Sequence, residues 1–191
     1  MNRKLIAISM TALLATSAFG VVSANSLPRT EIRDPVRGVS FYSVEISEKK
    51  VNSLEVIEGS FGDTDSLAVG ISALKFDESD AVDEYIFWLR HEGRLWHQFD
   101  IDQPAVFEID GQKLSLEQLR ASQPWVGTSS RMFEKVEFRL DEAAFDRLVL
   151  GNEITITLRS DNGLIEKTLT NRELERIREF RASFSNEKGV S

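Results

Sequence analysis

The segment Ile86–Phe99, with the sequence IFWLRHEGRLWHQF, contains the side chains of the chain that are best suited to chemistry. Both histidines of the chain, His91 and His97, lie in it. Imidazole can bind a metal ion or transfer protons, but zinc requires three or four converging ligands. The chain has no cysteine and no HExxH motif. We therefore expect no metal centre, and we interpret His97 as a core histidine with a hydrogen-bond partner.

The tryptophans of the same segment are stronger candidates for a site. Trp88 and Trp96 each lie two residues from an arginine, Arg90 and Arg94 respectively. Such a group can form a flat platform on which a sugar stacks or a protein partner docks. The alternative is that a helix or the segment around Trp125 covers the two rings, since large aromatic side chains are more often buried. The sequence predicts a binding site made of these two tryptophans and two arginines.

A hairpin would position these side chains. A loop of three residues, His91–Gly93, needs the left-handed conformation only at its glycine. In the resulting register Leu89 pairs with Leu95 on an apolar face, and Trp88 pairs with Trp96 on the opposite face. The two histidines then point to different places, which again disfavours a shared metal ion.

Motifs for catalysis are absent from the sequence. The segment GISAL lacks the second glycine of a nucleophile elbow, and Ser47–Lys50 matches Ser-x-x-Lys without its partner motifs. The acidic segment Asp77–Glu84 lacks the glycine and distal glutamate of a calcium loop. We interpret it as a solvated loop, with weak calcium binding as the alternative. We expect no enzyme and no cofactor.

The first 24 residues have the three regions of a secretory signal peptide. Asn2–Lys4 is basic, Leu5–Phe19 is apolar and uncharged, and Val22 and Ala24 form a cleavage motif. The alternative is an uncleaved membrane anchor, because the apolar run approaches the roughly 18 residues that a span needs. We expect an exported protein, in the periplasm first and secreted second, with no membrane span after cleavage.

The chain that remains after cleavage is strongly acidic. Without Arg3 and Lys4, 21 basic side chains stand against 31 acidic ones, which gives a formal charge of −10. Such a surface repels phosphate backbones and anionic headgroups. We therefore expect neither nucleic acid nor a membrane surface as a partner. Because cysteine is absent, packing rather than disulfides must stabilise the fold.

Composition divides the chain into a signal peptide (1–24), an extended N-terminal arm (25–38), a single domain (39–184) and a flexible C-terminal tail (185–191). Two further hairpins are predicted within the domain, which makes three in all. One turns on Asp110-Gly111 and the other on Asn162-Gly163, since both pairs tolerate positive φ. The second register sets Arg159 opposite Glu166, so that opposite charges pair.

Two helices are predicted in the second half of the domain. Asp141 is an N-cap with Gly151 beyond the end of its helix, and Thr170 with Glu173 forms a capping box. Since hairpins are antiparallel, we expect an α+β fold: a large antiparallel sheet, or a flattened barrel, with two or three helices packed on it.

The order of these patterns resembles small uncharacterised exported proteins of Gram-negative bacteria. The resemblance lies in the run from IFWLRHEGRLWHQFDI through VFEIDGQKL and VEFRLDEAAFDRLVLGNEITITLRSDNG to ELERIREF. It implies a periplasmic setting and an α+β fold, and it implies no activity or site residue.

Two functions without catalysis fit these observations. The first is a binding module whose partner is a protein or a cell-wall glycan. The second is a carrier of a small apolar ligand between sheet and helix, which would use six phenylalanines: Phe41, Phe76, Phe87, Phe99, Phe107 and Phe138. A hydrolase based on paired carboxylates is the least favoured function.

Overall fold

The strands form two antiparallel sheets. The computed structural model describes residues 29–47, 55–56, 66–93, 98–100, 102–121, 125–126, 132–161 and 163–185. The seven-stranded sheet contains, in spatial order, β1 (Thr30–Asp34), β2 (Val39–Glu45), β4 (Ser66–Phe76), β5 (Glu84–Gly93), β10 (Met132–Leu140) and β8 (Gln118–Ala121), with β9 (Trp125–Val126) also paired to β10. The five-stranded sheet contains β3 (Glu55–Val56), β12 (Gly163–Thr168), β11 (Ile154–Ser160), β6 (Ala105–Ile109) and β7 (Gln112–Leu116).

The α+β class is confirmed, but the prediction of one large sheet or flattened barrel is not. The described strands divide between two sheets, and neither closes into a barrel. The described helices are α1 (Glu142–Leu150) and α2 (Asn171–Ser185). Hairpin patterns reveal which neighbours pair along the chain, but they do not reveal which sheet each hairpin joins.

The core lies between the two sheets and under the helices. Alternate residues of each strand point into it, as the two-residue period of a strand requires. Phe107 of the five-stranded sheet contacts both Phe87 and Phe138 of the other, with ring centroids 5.2 and 5.5 Å apart. Phe145 of α1 stacks on Tyr85 at 3.9 Å. We call the side of the seven-stranded sheet that meets this core its inner face.

Two of the three predicted hairpins exist, and one of these has the predicted register. In β6–β7, Glu108 pairs with Lys113, and both Asp110 and Gly111 have positive φ. In β11–β12 the predicted pairing of Arg159 with Glu166 is wrong, because Arg159 lies opposite Leu164. The shift is two residues, so every side chain keeps the predicted face of the sheet.

The helix ends follow the predicted capping. The Asp141 carboxylate accepts a hydrogen bond from the Ala144 N–H at 2.7 Å. At the start of α2, Glu173 accepts from the Thr170 N–H at 2.8 Å and its own N–H donates to the Thr170 hydroxyl at 3.2 Å. The same carboxylate binds Lys167 of β12 at 3.0 Å, and both side chains are buried. This contact fixes α2 to the five-stranded sheet.

The predicted hairpin in Ile86–Phe99 is wrong. Strand β5 continues through His91 to Gly93 and pairs with β4 on one side and β10 on the other. Leu89 lies between Val69 and Val136, so it has no free edge for Leu95. The predicted alternation of faces along β5 is nevertheless correct.

Part of the predicted N-terminal arm belongs to the sheet, since β1 pairs with β2 in a regular antiparallel register. The predicted signal peptide (1–24) and residues 186–191 of the predicted tail lie outside the described residues. Within the described part of the chain, neither helix has the length and hydropathy that crossing a bilayer would require.

Candidate functional site

The opposite side of the seven-stranded sheet, which we call its outer face, is the candidate site. Both helices and the five-stranded sheet pack on the inner face, so no described layer covers the outer one. Three buried apolar side chains nevertheless lie on it and outside the core cluster: Val39, Leu74 and Trp88. Two large apolar side chains on the same face, Ile32 and Phe76, are exposed, and exposed apolar patches are typical of surfaces that make contacts.

Trp88 occupies the middle of this face because its cross-strand neighbour is Gly70. A Cβ atom added at Gly70 would lie 1.9 Å from Cζ2 and 2.2 Å from Cε2 of the indole. The ring therefore fills the space that a side chain at position 70 would take. As a result only 5% of Trp88 is exposed.

Two cations flank the indole, and each is paired with a carboxylate. The Arg90 guanidinium lies 5.8 Å from the ring centroid and the Lys135 ammonium lies 5.0 Å from it, both within cation–π range. Arg90 binds Glu45 at 2.9 Å, and Lys135 binds Glu137 at 2.6 Å. We call these five residues, Trp88, Arg90, Lys135, Glu45 and Glu137, the Trp88 cluster.

Two donors of the Trp88 cluster are buried without an acceptor. Neither the indole Nε1–H of Trp88 nor the Nε–H of Arg90 makes a hydrogen bond in the part of the chain that the structure describes. Buried donors in native proteins are nearly always satisfied, and an unsatisfied one costs about 1–3 kcal/mol. Because solvent reaches neither donor, a ligand that supplies acceptor oxygens, such as carbonyl or carboxylate groups, would pair with them only after the cluster opens.

The other end of the outer face is apolar. Along one row across the sheet, Ile32 lies beside Phe41, which lies beside Leu74. In the adjoining row Val39 lies beside Phe76. Ile32 and Phe76 are 42% and 40% exposed. The outer face thus combines an apolar end with the polar Trp88 cluster.

The structure brings two of the four predicted binding residues together, Trp88 and Arg90. The other two, Arg94 and Trp96, lie outside the described residues. Sequence reasoning missed Lys135, Glu137 and Glu45, which come from β10 and β2. The alternation in FEKVEFRL of β10 was the available signal, but nothing local places that strand beside β5.

His91 is not in a loop, as predicted, but in β5 on the inner face, where it is fully buried. Its Nδ1 lies 3.5 Å from Oε2 of Glu134, and Oε1 of that carboxylate accepts a hydrogen bond from the Gln98 N–H at 2.8 Å. His97, the predicted core histidine, lies outside the described residues. Among the residues that the structure describes, no group of three or more acidic or histidine side chains is arranged to hold a metal ion.

The six phenylalanines proposed to line an apolar site divide into two groups. Four are buried in the core: Phe87, Phe99, Phe107 and Phe138. The other two, Phe41 and Phe76, lie on the outer face, half-buried and exposed respectively. They therefore do not line one common interior.

Comparison with known proteins gives no relative: no protein-family model matches the chain, no curated protein matches its sequence, and no solved structure matches its fold.

Proposed function

We propose that the protein is an exported, non-catalytic binding module that contacts a partner protein through the outer face of its seven-stranded sheet. The observation that carries this proposal is a pair of buried donors, Trp88 Nε1–H and Arg90 Nε–H, which find no acceptor in the described part of the chain and lie on a face that no described layer covers. Export and the absence of catalysis rest on the sequence alone, through its signal-peptide pattern and its lack of catalytic motifs.

A protein fits this surface better than a glycan does. Sugar stacking requires an exposed aromatic face, whereas the Trp88 indole lies against Gly70 and is almost fully buried. A protein partner can supply apolar side chains to the exposed end near Phe76. It can supply backbone carbonyls or carboxylates to the two buried donors once the side chains around them move on binding. Aromatic and arginine residues are also the ones that dominate the binding energy of protein interfaces.

The test is quantitative affinity capture from a native cell extract, with four forms of the protein. Trp88→Phe removes the indole donor and keeps an aromatic ring, while Arg90→Gln removes the guanidinium. The matched control is Arg159→Gln, on the exposed outer side of the five-stranded sheet. We expect the same protein to be captured by the wild type and the control and lost with both outer-face variants.

Affinities measured with the identified partner sharpen this test. Loss of one hydrogen bond of about 1.4 kcal/mol weakens binding about tenfold, which we expect for Trp88→Phe. Equal binding by all four forms would place the contact elsewhere. Capture of no protein, together with binding of cell-wall fragments, would support the glycan instead.

A further inference from the structure

Strand β1 is an exposed edge of the seven-stranded sheet. Among the described strands it pairs only with β2, and its residues from Thr30 to Arg33 are exposed. It carries Ile32, a large apolar side chain that is 42% exposed. The free ladder of an edge strand is a template for pairing with another strand.

The sequence of β1, TEIRD, is complementary to itself when two copies run antiparallel. With Ile32 at the centre, Glu31 of one copy lies opposite Arg33 of the other, and the same pair repeats by symmetry. Within each copy Arg33 also binds Asp77 at 3.1 Å, in an exposed ion pair that leaves its other guanidinium nitrogens for Glu31. Opposite charges facing each other across strands are favourable, and like charges are unfavourable. A parallel pairing in register would set Glu31 against Glu31 and Arg33 against Arg33, so only the antiparallel arrangement is electrostatically matched.

We propose that β1 pairs antiparallel with β1 of a second copy of this chain, about a twofold axis at Ile32. The pairing joins two seven-stranded sheets into one continuous sheet. A twofold interface uses the same surface on both subunits, which is the property that a self-complementary strand provides.

The outer face supports the same arrangement. Ile32 lies beside Phe41, and Phe41 lies beside Leu74, which is 8% exposed. In the dimer the two Ile32 side chains meet and join these rows into one apolar stripe. On the inner side, the Arg29 guanidinium lies 4.5 Å from the centroid of the Tyr42 ring and donates a hydrogen bond to Ser183. Among the described residues, no strand pairs with the second edge of β1.

The absence of cysteine from the sequence allows a direct test by disulfide trapping. In an antiparallel pair the Cα atoms of directly opposite residues are roughly 4.5–5.5 Å apart, within the range that a disulfide bridges. Ile32→Cys places a thiol on the twofold axis. The matched control is Thr30→Cys, on the same face of the same strand, whose two copies lie about 14 Å apart along the strands.

Under mild oxidation at high protein concentration we expect Ile32→Cys to form a covalent dimer at least tenfold faster than Thr30→Cys. Equal rates for the two variants would overturn the proposal, because random collision does not distinguish them. Failure of both to form dimers would also overturn it.

Charge reversal provides an independent readout in the cysteine-free protein. Sedimentation velocity should show a weak, concentration-dependent dimer in the wild type, because a single short strand pair makes a small interface. Arg33→Glu places two like-charged pairs across the axis and should abolish the dimer. The double variant Glu31→Arg/Arg33→Glu restores opposite charges and should restore it. A dimer that persists in Arg33→Glu would place the interface elsewhere.

Discussion

The outer faces of the two sheets differ in whether their polar side chains have hydrogen-bond partners. On the five-stranded sheet this face is polar, with Thr155, Thr157 and Arg159 along β11, and the Thr155 and Thr168 hydroxyls lie 3.0 Å apart. On the seven-stranded sheet the corresponding face carries Trp88, which is buried and whose indole donor has no acceptor among the described residues. The first is the ordinary solvated side of an antiparallel sheet.

The difference supports our proposal that the seven-stranded sheet, rather than the five-stranded sheet, contacts a partner. Water completes the hydrogen bonds of an exposed threonine, so the five-stranded sheet needs no partner on that side. Water does not reach the Trp88 donor, and the buried Leu74 and Val39 lie on the same face. We therefore regard the seven-stranded sheet as the interacting side of the molecule and the five-stranded sheet as its structural side.

The largest expected effect tests this difference directly. Trp88→Ala should lower the free energy of unfolding by about 3 kcal/mol, because it removes a buried aromatic side chain. Thr157→Ala, at the centre of the opposite outer face, should change it by less than about 0.5 kcal/mol. Urea denaturation measures both values. Similar losses in the two variants would mean that the two faces are equivalent.

The effect of Gly70→Ala on the free energy of unfolding should have opposite signs with and without the Trp88 indole. Gly70→Ala should destabilise the wild type by about 2 kcal/mol, since the new methyl group collides with the indole. In a Trp88→Ala background the collision is absent, and the same change should stabilise the strand by roughly 0.5 kcal/mol through lost backbone freedom in the unfolded state. A cost that is unchanged in the double variant would contradict the contact between Gly70 and Trp88.

A smaller effect on stability, confined to alkaline pH, is expected from Tyr85 on the inner face of β5. Burial on the inner face raises the pKa of Tyr85, although the adjacent Arg181 guanidinium partly offsets the shift. The folded state then holds the phenolic proton more tightly than the unfolded state does. The resulting stability is complete below pH about 10 and is lost as the pH rises through the raised pKa. Tyr85→Phe should reduce the loss of stability at alkaline pH. Unfolding curves at pH 8 and above pH 10 measure this loss. If the loss is the same in the variant, other groups cause it.

The smallest effect is expected from the Arg90–Glu45 ion pair. Its side chains are 33% and 41% exposed, so solvent screens the interaction. Glu45→Gln should cost less than about 1 kcal/mol in low salt, and the difference should disappear in 1 M NaCl, where the Debye length is about 3 Å. A larger cost that salt does not reduce would indicate that this pair is part of the structural framework.

Local features of the fold could be predicted from the sequence. The Asp110-Gly111 turn and the caps of both helices depend on residues within a few positions of each other, and the structure confirms them. The predicted turn on Asn162-Gly163 lies one residue too late, because Gly163 begins β12 opposite Ser160 instead of closing the turn, and each cross-strand partner therefore shifts by two residues. Either register leaves the same side chains buried, so the pattern of hydrophobicity does not decide between them.

The candidate site could be predicted only in part, because its other half is distant in sequence. Alternation along β5 assigned Trp88 and Arg90 to one face correctly. Their neighbours Lys135 and Glu45 come from strands about 45 residues away on either side. No turn or cap signal connects those strands to β5. The sequence therefore predicts a hairpin within Ile86–Phe99 instead of pairing between β5 and distant strands.

The order of the strands along the chain also has a consequence for the route by which the protein folds. Strand β5 pairs with β4 and with β10, yet β6 and β7, which lie between β5 and β10 in sequence, join the other sheet. Neither sheet can therefore form from one continuous segment. Contacts of such high sequence separation predict slow folding, and a chain that ends before Met132 would expose the apolar edge of β5 to aggregation. The protein should acquire its structure in a single late, cooperative step that requires the chain through β12.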